Sequence, residues 1–236
     1  MTDIESRVAA LDWAALQAQL DQRGYATTGA LLSPAECAGL VDDYASAELY
    51  RSHVIMARHG YGQGEYKYFA YDLPPLISGL RTALYAGLAP VANRWAAHLR
   101  QDIAYPLEHA AFLARCHEAG QTKPTPLLLQ YGAGDFNCLH QDLYGELAFP
   151  LQAAFLLSRP GADFEGGEFV LTEQRPRMQS RVEVVPLAKG EAVIFAVNQR
   201  PVQGTRGVYR AAMRHGVSRL RSGRRHTLGV IMHDAR

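Results

Sequence analysis

The stretch that decides the reading of this chain is Leu127-Leu128-Leu129-Gln130-Tyr131-Gly132-Ala133-Gly134-Asp135-Phe136-Asn137-Cys138-Leu139-His140-Gln141-Asp142. It opens on a short apolar run that reads as a buried strand, passes through Gly132 and Gly134, and ends on His140-Gln141-Asp142. Residues two apart on an extended backbone point to one side. An imidazole nitrogen and a carboxylate oxygen so placed can grip one metal ion. Two ligands are half a site, and the third is expected from His215. Two histidines and one carboxylate suit non-haem Fe(II) and leave coordination positions open. His226 competes with His215, since it too has an arginine, Arg236, ten residues on. No strand pattern surrounds Arg236, however, and His226 adjoins Arg225, so the two would face opposite ways on one strand.

Outward from this stretch the second half reads as short strands separated by turns. Leu151–Leu157 ends at Arg159-Pro160-Gly161, and Glu168–Thr172 follows the Gly166-Gly167 turn. Arg181–Val185 alternates and ends at Pro186, while Ala192–Val197 is apolar throughout. Tyr209–Val217 and Thr227–Met232 complete the set, with one or two strands hidden from this reading. Such a run predicts a double-stranded β-helix, a jelly roll of the cupin kind, whose narrow interior lets ligands from separate strands converge.

The first half is different. Residues 3–23 carry one broad apolar face and predict a helix ended by Gly24. Residues 25–32 predict a short strand. Ser33-Pro34-Ala35-Glu36 predicts a helix start, with Ser as cap, Pro at the first position and Glu closing a capping box. Leu76–Leu88 marks another helix, kinked or stopped by Pro90 and continued through Trp95, and a further one spans Leu107–Glu118. His98, His109 and His117 lie there without metal-ligand company. Between these helices, residues 50–72 interleave Tyr50, Tyr61, Tyr66, Tyr68, Phe69 and Tyr71 with basic side chains and three glycines. That pattern fits a segment facing a planar or anionic substrate, with Arg58, Tyr66 and Tyr68 as contacts. It also fits a glycine-bent hairpin whose tyrosines half-bury. The expected architecture is α+β with a mainly β core: one domain over 1–236, in which 1–120 is helical support packed outside one sheet plus the substrate-facing segment, and 121–236 is the β-helix.

Hydrophobic residues make up 48% of the 236, enough for a full core, and the formal charge of +1 implies no nucleic-acid partner by itself. Charge distribution is less even: from Arg200 to Arg225 there are eight arginines and no acid. Three widely spaced cysteines show neither zinc spacing nor a disulfide framework, which predicts a reducing, cytoplasmic setting. No run reaches the length of a membrane span, and no partner in a membrane is expected. Oligomeric state is not legible.

As a set, these motifs resemble the Fe(II)/2-oxoglutarate dioxygenases, especially their prolyl-hydroxylase-like branch, over roughly residues 121–236. That branch has Tyr-x-x-Gly before His-x-Asp, then Gly-Gly-Glu, a Gly ahead of an apolar strand, and His with Arg or Lys ten residues on. Here these are Tyr131 and Gly134, His140 and Asp142, Gly166 to Glu168, Gly190, and His215 with Arg225. Leu31 to Cys37 also resembles an N-terminal helix of that group. The resemblance implies two cofactors, Fe(II) on His140, Asp142 and His215, and 2-oxoglutarate, whose far carboxylate meets Arg225 and the Tyr131 hydroxyl. The Tyr131-to-His140 interval is one residue longer than usual. The implied reaction couples decarboxylation of 2-oxoglutarate to succinate with hydroxylation or oxidative demethylation of a substrate C–H bond. The chain also resembles a bacterial group proposed to act on damaged DNA, although the Arg-x-Asn-x-x-x-x-x-Arg pattern of alkylated-base repair enzymes is absent. Protein, peptide or small-molecule substrates rank first and nucleic acid close behind. Two other readings stand beside it: a metal-binding cupin-type jelly roll without cosubstrate, and a nucleic-acid-binding protein using the arginine strip. Arg225 separates the first, because a simple cupin needs no buried arginine beside its metal. An intact ligand triad argues against the second.

Overall fold

The computed structural model describes residues 3–205 and 207–236, so Arg206 of the arginine strip lies outside the described residues. Two antiparallel sheets face one another. Among the described residues the larger runs from edge to edge as β1 (Tyr25–Thr27), β11 (Ala192–Ala196), β7 (Leu151–Leu156), β14 (Leu220–Ile231), β5 (Leu127–Gly132), β4 (Glu65–Phe69) and β2 (Tyr50–Ile55), with β8 (Phe164–Gly166) also beside β14. The smaller runs β10 (Arg181–Val185), β9 (Phe169–Gln174), β13 (Gly207–Val217), β6 (Phe136–His140) and β3 (Gly62–Gln63), with β12 (Gln199–Gly204) also on β13. Tyr25, Ala154, Phe169, Leu171, Val185, Val193 and Phe195, drawn from both inner faces, form one buried cluster between the sheets. This is the double-stranded β-helix.

Alternation assigns the other face. On β7, Leu151, Ala153 and Phe155 pack outward into the cluster that holds Leu80, Leu84, Leu88 and Trp95 of the long helix α4 (Pro75–His98). Gln152 and Ala154 point inward to a cavity between the sheets. A strand covered on both faces reads as near-continuously apolar, which is why β11 does throughout and β7 does but for Gln152. The remaining helices are α1 (Ile4–Ala9), α2 (Trp13–Arg23), α3 (Pro34–Asp42) and α5 (His109–Glu118).

Several expectations about the first half are corrected. The helix expected over 3–23 is two, because Asp12 caps α2 by accepting from the Ala15 amide at 3.0 Å and breaks the backbone there. The strand expected over 25–32 stops at Thr27; Leu31 and Leu32 instead donate to the Gly190 carbonyl. Pro90 does not stop α4, which runs through it. The α3 capping box is present as expected, and Glu36 also takes Arg7 from α1, which with the Ser33 bonds brings its pKa down to about 2.

Residues 50–72 cross between the sheets. β2 and β4 extend the larger sheet past β5, and β3 joins the smaller sheet against β6. Gly62 permits that second contact, since a Cβ there would lie 2.3 Å from the Phe136 carbonyl oxygen. His109 and His117 are structural: their Nε2 atoms lie 2.8 Å from the Met232 carbonyl and from Asp234 respectively, while His98 is exposed. No helix among the described residues is long and apolar enough to cross a membrane.

Candidate active site

The antiparallel register of β6 and β13 sets His140 directly across from His215, with ring centroids 4.1 Å apart. Gly216 lets the two backbones close up: a Cβ there would stand 2.6 Å from the Asn137 carbonyl oxygen. Asp142, just beyond the end of β6, reaches both rings. Its Oδ1 is 3.5 Å from His140 Nε2 and its Oδ2 is 3.3 Å from His215 Nε2. One donor atom from each residue fits within 4.8 Å of the others, the spread of a single cation site. The Nδ1–H of His140 donates to the Cys138 carbonyl at 2.8 Å, which orients the ring so that Nε2 faces the group.

Two further side chains hold the carboxylate. The Tyr144 hydroxyl donates to Asp142 Oδ1 at 2.6 Å, and Gln152 Nε2 donates to Oδ2 at 2.8 Å. Tyr68 in turn donates to the Tyr144 hydroxyl at 3.0 Å. Burial alone would raise the Asp142 pKa, but the bonds from both histidines outweigh it and hold the carboxyl well below its usual range. Burial and the facing His140 ring lower His215, so it sits neutral with a lone pair to give. For His140, burial is overcome by the Asp142 carboxylate and the pKa rises. These are the protonation states a metal would displace.

The other end of the cavity is built differently. Arg225 lies inside the barrel on β14, directly across from Tyr131 on β5, and is 2% exposed. Its Nη1 donates to Thr227 Oγ1 at 2.5 Å, and its Nε has no partner. The buried Tyr131 hydroxyl has none either. No ion pair reaches Arg225 among the described residues; Glu168 is engaged by Ser218 and, at 3.8 Å, by Arg221. Burial pulls the guanidinium down to about 10. Gly167 backs it closely, since a Cβ there would lie 3.1 Å from Arg225 Cδ and 2.1 Å from Leu220 Cδ1.

His140, Asp142, His215, Tyr131, Arg225, Tyr66 and Tyr68 all line one cavity of about 510 Å³. Arg58 does not: it is exposed on the turn Met56–His59, two residues from Gly60 of the cavity wall. His226 faces the opposite side of β14, with Nε2 3.1 Å from Gln130 Oε1. Sequence reasoning missed Tyr144 and Gln152. The signal for Gln152 was present: it is the one polar residue in the otherwise apolar β7. The arginine strip is not one surface. Arg200 is buried against Glu173 at 2.5 Å, Arg225 is inside, and Arg210 is exposed but donates to the Leu99 carbonyl. Arg214, Arg219, Arg221 and Arg224 remain on the outside.

Residues 64–235 match a protein family described as an oxygenase catalysing oxidative methylation of damaged DNA. The chain belongs to this family. Two uncharacterized proteins of Mycobacterium tuberculosis, from the CDC 1551 / Oshkosh and H37Rv strains, are 48% identical over 167 residues, covering 71% of this chain and 72% of theirs. Among solved structures, a Pseudomonas putida prolyl-4-hydroxylase superposes with a TM-score of 0.55 at 16% identity, covering 95% of this chain and 99% of that one. A Trichoplax adhaerens prolyl hydroxylase in complex with a hypoxia inducible factor peptide gives 0.53 at 11%, covering 96% and 90%. Streptomyces hygroscopicus HygX, with nickel and 2-oxoglutarate bound, gives 0.50 at 15%, covering 91% and 85%. At these identities the likeness is one of fold. The oxygenase therefore carries the double-stranded β-helix of the 2-oxoglutarate-Fe(II) oxygenases, and its cavity fits both groups: a His, Asp, His donor set at one end and a buried cation without a counter-ion at the other.

Proposed function

We propose that the chain is an Fe(II)- and 2-oxoglutarate-dependent dioxygenase that oxidises a C–H bond of a damaged nucleotide. His140, Asp142 and His215 would hold Fe(II), leaving positions free for the keto-acid end of 2-oxoglutarate and for dioxygen. Arg225 would pair bidentately with the far carboxylate, helped by the Tyr131 and Thr227 hydroxyls. Together the metal, 2-oxoglutarate and dioxygen supply an oxidant for an unactivated C–H bond, with 2-oxoglutarate leaving as succinate and carbon dioxide. On an N-methyl group the product is a hydroxymethyl, which separates as formaldehyde and leaves N–H. The carrying observation is Arg225: a buried guanidinium with an orphaned Nε, beside an orphaned Tyr131 hydroxyl, in the cavity that also holds the donor triad. A metal-only cupin gives no reason for that charge, whose burial without a counter-ion costs several kcal/mol.

Damaged DNA moves ahead of peptide and small-molecule substrates on the family's description. Tyr66 and Tyr68, set edge to face at 5.4 Å, offer aromatic walls for a planar base. Arg58 sits near the mouth, where a phosphate could be met. We read residues 1–236 as one domain, and the free state of all three cysteines supports the cytosol as its compartment. The test is incubation with Fe(II), 2-oxoglutarate and oligonucleotides bearing N-methylated bases, single-stranded and duplex, measuring succinate and formaldehyde. Formaldehyde release with DNA-stimulated succinate is expected. Succinate stimulated by peptides and not by any oligonucleotide would contradict the substrate class and leave the cofactor assignment standing.

A further inference from the structure

β10 is the last strand of the smaller sheet, and its outer edge pairs with nothing among the described residues. Folded proteins protect such edges, because a row of unpaired N–H and C=O groups is a template for another strand. This one carries exposed apolar side chains on one face and a charged pair on the other. Val182 and Val184 share its outer face and are 58% and 55% exposed, and Met178, in the turn leading into the strand, is 60% exposed. Val185 on the opposite face is buried between the sheets. Arg181 and Glu183 lie on that same inner side at the open end, with Arg181 Nε 3.4 Å from Glu183 Oε1.

The charge order of the strand selects a partner and a register. Two copies of Arg181-Val182-Glu183 running antiparallel about a two-fold axis at Val182 place each Arg181 across from the other copy's Glu183. On that face the four charges alternate in sign. On the outer face Val182 meets Val182, with a Val184 diagonal to it on either side. A shift of the axis to Glu183 would set like charges opposite one another, so one register is favoured over its neighbours. Single exposed ion pairs contribute little, whereas an alternating set of four fixes pairing and register together. The motif is self-complementary, as a two-fold interface requires.

We propose that β10 is a self-association edge: a second copy of this chain adds antiparallel to it about Val182, joining the two smaller sheets into one. The active-site cavity lies between the sheets, and none of Met178, Arg181, Val182, Glu183 or Val184 lines it. The inference is thus independent of the catalytic reading.

Sedimentation velocity on the full chain, from about 1 to 100 µM, decides it. The expected result is a dimer at the upper concentrations. Arg181→Glu and Glu183→Arg should each weaken it by at least tenfold in dissociation constant, and the double swap, Arg181→Glu with Glu183→Arg, should restore it. Arg181 is exposed, 3.9 Å from Glu173, and Glu183 is half-buried, so thermal melting of each variant is measured alongside, and an unchanged melting temperature excludes unfolding as the cause. A monomer at every concentration, a dimer indifferent to the single reversals, or a double swap that fails to restore pairing would each overturn the proposal.

Discussion

Arg200 and Arg225 are both fully buried arginines on neighbouring stretches of the same basic strip, and their surroundings differ in one respect. Arg200 has a complete set of partners. It pairs with Glu173 at 2.5 Å and donates to the Asp21 and Gln22 carbonyls at the end of α2, where it ties helix to sheet. Arg81, the third such arginine, is likewise paired with Asp234 at 2.7 Å. Arg225 has a single hydroxyl partner and no carboxylate. A folded chain seldom leaves a buried charge half-satisfied. Where it does, in a cavity that also holds a metal-type donor set, the missing counter-ion is best sought in a ligand. The difference separates arginines paired within the fold from the one whose counter-ion we propose is a ligand carboxylate.

The largest effect is expected at the metal end of the cavity. Asp142→Ala removes the one carboxylate both histidines face, so Fe(II) binding and turnover should be lost outright while the fold persists. Calorimetric titration with Fe(II) under anaerobic conditions measures it; an unimpaired variant would remove the triad from the account. Next comes the structural arginine. Arg200→Ala removes the buried partner of Glu173 and leaves it only the part-exposed Arg175 at 2.6 Å, so it should cost about 1–3 kcal/mol of unfolding free energy in denaturant titration, with 2-oxoglutarate affinity unchanged. A smaller effect follows at the side chains that hold the carboxylate. Tyr144→Phe and Gln152→Ala should each weaken metal binding by roughly 10–100-fold without abolishing it. Equal affinity in all three proteins would reduce these contacts to packing.

How much of this was legible in sequence depends on where each signal lives. The triad and Arg225 were readable because strand alternation and fixed spacing carry them. β13 was readable from the same spacing, and β7 and β11 as short, largely apolar runs bounded by turn residues. β6 was half-hidden, since Phe136–His140 mixes polar and apolar residues on a strand whose burial does not alternate. β12 was hidden by Pro201 and its run of polar neighbours. The α1–α2 break escaped because apolar periodicity continues across Asp12, whose capping role shows only in the backbone. Tyr144 and Gln152 could not be assigned roles without knowing that a loop and a second strand converge on Asp142. The arginine strip misled in the opposite way: one-dimensional charge density does not reveal that Arg200 and Arg225 face inward.

The mildest prediction concerns pH. Burial, as the largest cause, depresses His109, His226 and His233 to about 4, against 6.5 for a free imidazole. Each is therefore neutral in the folded chain at a pH where the unfolded chain binds a proton. The stability they confer is full above about pH 6.5 and is lost as pH falls toward 4. Denaturant midpoints should decline through that window, and His109→Gln should flatten part of the slope. A midpoint independent of pH from 7 to about 4.5 would contradict the burial argument.

The central claim is that one cavity grips one 2-oxoglutarate from both ends, by metal and by Arg225. It is tested most directly by anaerobic titration of 2-oxoglutarate into wild type and Arg225→Ala, each with and without Fe(II), alongside their unfolding free energies. The account predicts binding that requires Fe(II), a loss of at least about a hundredfold in Arg225→Ala with Fe(II) affinity retained, and a far smaller loss of stability than in Arg200→Ala, because the charge it removes has no counter-ion among the described residues. Unaltered 2-oxoglutarate affinity in Arg225→Ala, or destabilisation as large as that of Arg200→Ala, would contradict it.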